Sequence, residues 1–181
     1  MIKKLFCVLL LSSFSVISFA QQTPPSADDV LKKAFATAKK EKKNVFLMFH
    51  ASWCGWCRKM DTAMNDAVCK KFFQDNYVIE HLTILESDGK KNLENPGAEE
   101  LYKKHANTPK SSGIPFWIVF DADGKVIADA KMPDGSNTGC PAAVAEVEHF
   151  INVLKKSSKI DEQTSKIIFD RFRKNEPVRQ Q

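Results

Sequence analysis

The stretch Asn44-Val45-Phe46-Leu47-Met48-Phe49-His50-Ala51-Ser52-Trp53-Cys54-Gly55-Trp56-Cys57 changes character along its length. Val45 to Phe49 is an unbroken apolar run of strand length, the pattern of a central strand covered on both faces. Two cysteines three positions apart follow at its end, and helical spacing resumes from Arg58 through Met60 and Met64. A Cys-x-x-Cys between a buried strand and a helix is the context in which the pair reads as redox-active. If Cys54 begins the helix, both sulfurs lie near one face of the first turn, close enough for a disulfide. Unpaired N–H groups at a helix N-terminus favour nearby negative charge. Thiolate is the reactive form, so this placement predicts a lowered pKa for Cys54 and makes it the attacking nucleophile. Cys57, one turn deeper, is expected to be less exposed and to resolve the mixed disulfide.

Other readings of the pair remain open. Zinc wants four ligands, and the chain has no second Cys-x-x-Cys and no His-x-x-x-His. His50 could supply a third ligand, which keeps metal delivery through Cys54, Cys57 and His50 as an alternative. A purely structural disulfide across so short a loop does little for stability. No Gly-rich phosphate loop appears, so no nucleotide is implied, and we expect no cofactor and no resident metal.

Upstream, Ser26-Ala27-Asp28-Asp29 looks like a capped helix start, and Val30, Leu31, Ala34, Phe35 and Ala38 recur at helical spacing. Downstream, Asp66 could cap a second helical piece whose apolar stripe holds Val68, Cys69, Phe72 and Phe73. A second strand is predicted over 77–85. The polar segment 86–112 is punctuated by Asn95-Pro96-Gly97 and holds a short helix over 98–105; a connection of this length is often functional or mobile. A third strand over 114–121, a hairpin turn at Asp123-Gly124 and a fourth strand over 125–131 follow. After a turn-rich loop, Cys140-Pro141 starts an amphipathic helix carrying Val144, Val147, Phe150, Ile151 and Leu154. A final helix over 162–174 carries Ile167, Ile168 and Phe172. Strands separated by helices indicate an α/β fold with a mixed, partly parallel sheet covered on both sides. We find no repeat and no second domain.

The chain of 181 residues starts with Lys3 and Lys4, an apolar run from Leu5 to Leu11 and the small-residue ending Ser18-Phe19-Ala20. That three-part layout predicts a signal peptide over 1–20, cleaved near Ala20, and an exported, periplasmic or extracytoplasmic protein. Cys7 sits inside the apolar run rather than at its end, which argues against lipid attachment. The expected mature chain is a single domain over 21–181 with a helical extension from about residue 158. Without Lys3 and Lys4, 25 basic residues stand against 22 acidic ones, a net charge of +3. So mild a charge, scattered among acids, gives no support for nucleic-acid binding. Cys54, Cys57, Cys69 and Cys140 are too few for a disulfide-built scaffold. Cys69 reads as a small buried hydrophobe, with a Cys69–Cys140 disulfide as the alternative.

The segment Phe49-His50-Ala51-Ser52-Trp53-Cys54-Gly55-Trp56-Cys57 resembles the active-site segment of thioredoxin-like proteins. Gly113-Ile114-Pro115 is similar to that family's cis-proline loop, and Asn95-Pro96-Gly97 also has a counterpart in it. With Cys57-Arg58-Lys59-Met60-Asp61, the pattern looks like an exported bacterial branch that includes relatives of the soluble domain of the transmembrane disulfide reductase. The resemblance covers about residues 40–157. It implies a thioredoxin-like three-layer sandwich with a central sheet of about four to five strands, to which this chain adds a C-terminal helix. It also implies a protein disulfide reductase or isomerase, with Cys54 and Cys57 as the catalytic pair. Pro115 would be cis and pack beside the disulfide, and the Ile114 backbone would pair with an extended substrate peptide. Trp53 and Trp56 would flank the sulfur, with Gly55 between them part of the same substrate-binding surface. The implied partners are protein thiols and disulfides, with a membrane-embedded thiol reductase as electron donor to a monomer. Two departures stand out. Met48 occupies the place of a buried Asp that assists proton transfer in cytosolic relatives, leaving His50 and Glu80 as unranked candidates for that task. The Gly-Trp dipeptide leaves the direction of electron flow open. A second reading is a binding or chaperone module on the same scaffold, using segment 86–112 and the helical tail as contact surfaces.

Overall fold

The computed structural model describes residues 23–177. The expected signal peptide, including Cys7, lies outside the described residues. Four strands form one mixed sheet in the order β2-β1-β3-β4. Strand β1 (Asn44–His50) runs parallel to β2 (Tyr77–Thr83) and antiparallel to β3 (Phe116–Phe120), which pairs antiparallel with β4 (Val126–Asp129). Six α-helices surround it: α1 (Ala27–Glu41), α2 (Gly55–Met64), α3 (Lys70–Asn76), α4 (Ala98–His105), α5 (Val144–Ser157) and α6 (Glu162–Arg173). This is the expected thioredoxin-like α/β sandwich.

Strand β1 is central, and Val45 to Phe49 are all buried, as the unbroken apolar run requires. Side chains alternate between the two faces. Phe46 packs against Tyr77, Trp117 and Phe150 on one face, which α5 covers together with Phe172 of α6. On the other face Phe49 and Phe116 meet Tyr102 of α4, and Phe120 meets Phe35 of α1. Helix α1 starts where Ser26 accepts a hydrogen bond from Asp29 N–H at 3.1 Å. The β3–β4 turn closes at Gly124, whose φ of 84° falls in the region that glycine enters without steric cost.

Several expectations shift. Strands β2, β3 and β4 are shorter than expected, while β1 spans the expected residues. Val68 is not part of a buried stripe: it is 57% exposed on the turn before α3, which starts only at Lys70. Asp66 does hold Val68 N–H at 3.2 Å, but its other oxygen takes Arg171 Nε of α6 at 2.6 Å. Cys140 lies in the loop before α5, not on it; Glu146 reaches back to the N–H groups of Ala142 and Ala143 and sets the start at Val144. Segment 86–112 is pinned at several points. Asn95 Oδ1 accepts from Thr83 N–H at 2.7 Å, and Ala27 N–H donates to Pro96 O at 2.8 Å. Its polarity reflects side chains used as anchors for neighbouring backbone. Among the described residues no helix is long and apolar enough to cross a membrane.

Candidate active site

The end of β1 delivers the chain to the motif, and α2 starts inside it. Cys54 is the N-cap residue of α2, and Cys57 N–H points back at Cys54 Sγ, 3.1 Å away. The two cysteines form a disulfide with their Cα atoms 5.3 Å apart. The expected contrast in exposure is absent, since Cys54 is 2% and Cys57 1% exposed. Trp53 and Trp56 carry the exposure instead, at 55% and 41%. Trp53 is fixed by its indole N–H, which donates to Leu85 O at 2.8 Å, while Lys59 Nζ lies 4.2 Å from the Trp56 ring centre.

The loop entering α2 hangs on a residue that the sequence did not single out. Glu86 is buried, and its carboxylate accepts from both the backbone N–H and the hydroxyl of Ser52, the latter at 2.7 Å. Arg58 Nη1 donates to Ser52 O at 2.9 Å from the other side. Glu86 stands in a polar run without periodicity, so nothing local marks it as buried.

Across from the motif, the Ile114-Pro115 peptide bond is cis. Ile114 O lies 3.7 Å from Cys54 Sγ. Two side chains hold this loop. Asn137 Nδ2 donates to both Gly113 O and Pro115 O at 3.1 Å, and Tyr102 OH accepts from Gly113 N–H at 2.7 Å. Gly113 has φ of 108°, where a side chain would be strained. Among the described residues the Ile114 N–H has no acceptor. Beside the loop opens a cleft of about 350 Å³, walled by Trp56, Ile114, Pro115, Thr138, Ala142 and Pro177. Trp56, Ile114 and Pro115 are thus brought together, while Trp53 stands on the Leu85 side.

The proton-transfer candidates separate. Glu80 pairs in register with Leu47, on the face covered by α1 and α4, away from Trp117 and α5. Burial raises its pKa. His50 lies on the Met48 face, bonded to Thr83 Oγ1 at 3.2 Å, with its ring 5.2 Å from that of His81. Burial, and then the neighbouring His81, lowers its pKa. His81 itself pairs with Asp61 of α2 at 2.9 Å. Among the described residues no group of three or more His, Cys, Asp or Glu is placed to hold a metal ion. Cys69 and Cys140 are free, buried thiols rather than a second disulfide, and burial pushes their pKa values up to about 11 and about 12.

No curated protein sequence matches the chain. Among solved structures it is similar to a disulphide isomerase from Xylella fastidiosa Temecula1, at 22% identity and a TM-score of 0.48 over 85% of this chain and 94% of that one. It is similar to the DsbH oxidoreductase at 23% identity and a TM-score of 0.39, over 82% and 95%. A thioredoxin from Thermus thermophilus matches at 15% identity and a TM-score of 0.44, over 68% and 81%. The thioredoxin-like domain matches residues 31–133, more than half of the sequence and including the cysteine pair and cis-proline loop, so the chain belongs to the thioredoxin-like family.

Proposed function

We propose that this protein is an exported thiol–disulfide oxidoreductase that exchanges disulfides with protein substrates, with Cys54 as nucleophile and Cys57 as resolving thiol. The observation that carries this reading is the disulfide at the N-terminus of α2 facing the Ile114 carbonyl across a cis-proline loop. Three features favour negative charge on Cys54 Sγ in the reduced state: the N-terminal end of α2, the aimed Cys57 N–H, and the Arg58 guanidinium near Gly55. None of them is aimed at Cys57, which lies one turn further on.

Exchange then balances as follows. With the pair reduced, the Cys54 thiolate attacks one sulfur of a substrate disulfide; that S–S bond breaks and the other substrate sulfur leaves with the electron pair. Cys57, losing its proton, attacks Cys54 Sγ, and the mixed disulfide breaks to release the second substrate thiolate. Two electrons pass to the substrate, and the reverse sequence oxidises a substrate dithiol. The exposed indoles give the partner an apolar platform. The free Ile114 N–H and the Ile114 carbonyl offer backbone pairing to an extended peptide.

Insulin reduction by dithiothreitol tests this directly. The wild-type chain should accelerate it, and Cys54→Ser should fall to background. In addition, Cys57→Ser should hold partner proteins as mixed disulfides through Cys54. Equal background rates for wild type and Cys54→Ser would refute the reading, and capture of partners regardless of Cys57 would favour a binding module.

A further inference from the structure

The two residues between the cysteines face different clefts. Trp56 lines the cleft beside Pro115, whereas Gly55 opens on a second one of about 560 Å³. Its remaining walls include Arg58, Lys59, Asp66, Arg171 and Lys174. Four cations therefore surround one carboxylate, and that carboxylate is already engaged by Arg171 Nε at 2.6 Å. Arg58 spends one nitrogen on the neutral Ser52 carbonyl, and its other terminal nitrogen reaches within 3.8 Å of where a Gly55 Cβ would stand. Among the described residues Lys59 Nζ meets the Trp56 ring and the Asn175 carbonyl, the latter at 3.5 Å, and no carboxylate. Lys174 is exposed and, among the described residues, forms no ion pair, although its charge, with that of Arg171, acts on Asp66. The cleft thus presents uncompensated positive charge next to the reactive pair, in a chain that pairs many of its other lysines with acids. Lys174 comes from the end of α6, which is pinned to the body by Phe172 and by the Arg171–Asp66 pair.

We propose that this cleft is a substrate subsite that takes carboxylate side chains flanking the cysteine of the partner protein. This rests on the exchange reading above and names its substrate class. The occupant is a protein segment rather than a small thiol, because Gly55 on this wall adjoins Trp56, which lines the neighbouring cleft with Ile114 and Pro115, so that only an extended chain spans both. A small molecule seated at Gly55 would leave most of that surface uncovered. An acidic residue beside the substrate's cysteine places its charge among Arg58, Lys59 and Lys174 while the sulfur meets Cys54.

Three peptides test this, each with one cysteine disulfide-bonded to a chromophoric thiol and flanked on both sides by Asp, Ser or Lys. Release of the chromophore in a single turnover of the reduced protein gives the second-order rate constant of exchange. The expected order is Asp above Ser above Lys, spanning about tenfold at low ionic strength and collapsing near about 0.5 M salt. The Lys59→Glu, Lys174→Glu double variant should invert the order, read as ratios to its own rate with the Ser peptide. Equal rates for the three peptides, or an acidic preference that survives in the variant, would overturn the proposal. A wild-type protein inert toward the Ser peptide would instead refute exchange itself. Glutathione disulfide as a fourth substrate separates the sources: a preference over the Asp peptide would assign the cleft to a small thiol and overturn the protein-segment reading.

Discussion

Glu86→Ala removes the acceptor that holds the motif loop from behind. The carboxylate is buried and takes two hydrogen bonds from Ser52, one from backbone and one from the hydroxyl. A hydrogen bond to a charged acceptor contributes about 1.5–3 kcal/mol. The two do not simply add, because Ser52 is exposed and water can satisfy its donors once the carboxylate is gone. The expected loss is therefore about 2–3 kcal/mol, equivalent to roughly 4–12 °C in thermal midpoint for a domain of this size. Glu86→Gln keeps one acceptor oxygen for the Ser52 N–H and offers an amide donor to Ser52 Oγ, so it should cost less than about 1 kcal/mol. Urea denaturation of the oxidised protein measures both. The Ala variant should also slow exchange several-fold, because Ser52 leads directly into Cys54. An alanine variant within about 0.5 kcal/mol of wild type, with full exchange activity, would refute the view that this carboxylate positions the loop.

Further outcomes follow from other parts of the molecule. Phe172 is fully buried with its ring 4.8 Å from that of Phe150, so Phe172→Ala should cost about 3–5 kcal/mol in denaturant unfolding; a loss below about 1 kcal/mol would mean that α6 is a detachable appendage. The oxidised chain without residues 1–20 should show no thiol reactive to a disulfide reagent at pH 8, because burial holds Cys69 and Cys140 protonated; both should react once denatured. Burial lowers the pKa of His50 below its usual 6.5, so the unfolded chain binds a proton that the folded chain resists. Stability should be full above about pH 6.5 and fall as pH drops below it, and His50→Gln should shallow that slope in denaturation measured from pH 7.5 to pH 5.

What the sequence made legible was what short-range patterning encodes. The apolar run of β1, the Cys54–Cys57 spacing and the Ser26 cap each depend on neighbours within one strand or one turn, and each stands where it was expected. The residues that hold the site were not legible. Glu86 and Ser52 are 34 positions apart, and Asn137 and Gly113 are 24 apart. Nothing in the local sequence of Glu86 or Asn137 distinguishes a buried anchor from a solvated loop residue. The placement of Glu80 was decidable only with the register in hand, since its pairing with Leu47 assigns it to the α1 face. Val68 misled because its apolar side chain sits on a turn, where helical spacing does not apply.

The long-range anchors explain why a buried pair can still be a working surface. Covering both sulfurs requires walls on every side, and the walls come from separate segments: the Glu86 loop behind Ser52, the Asn137-held proline loop in front, and the end of α6 beside Gly55 and Trp56. Each wall is fixed by bonds that do not involve Cys54 or Cys57, so the loops need not move when the disulfide opens. The C-terminal segment adds a further constraint. Asn175 donates to Cys140 Sγ at 3.4 Å and to Pro141 O at 3.2 Å, and Arg173 Nη1 reaches Ala142 O, tying α6 to the loop that lines the cleft beside Pro115. Cys140 therefore acts as a buried acceptor that helps seat the tail. That role accounts for a free thiol beside a redox site without giving it redox work, and burial, by keeping it protonated, keeps it out of the exchange.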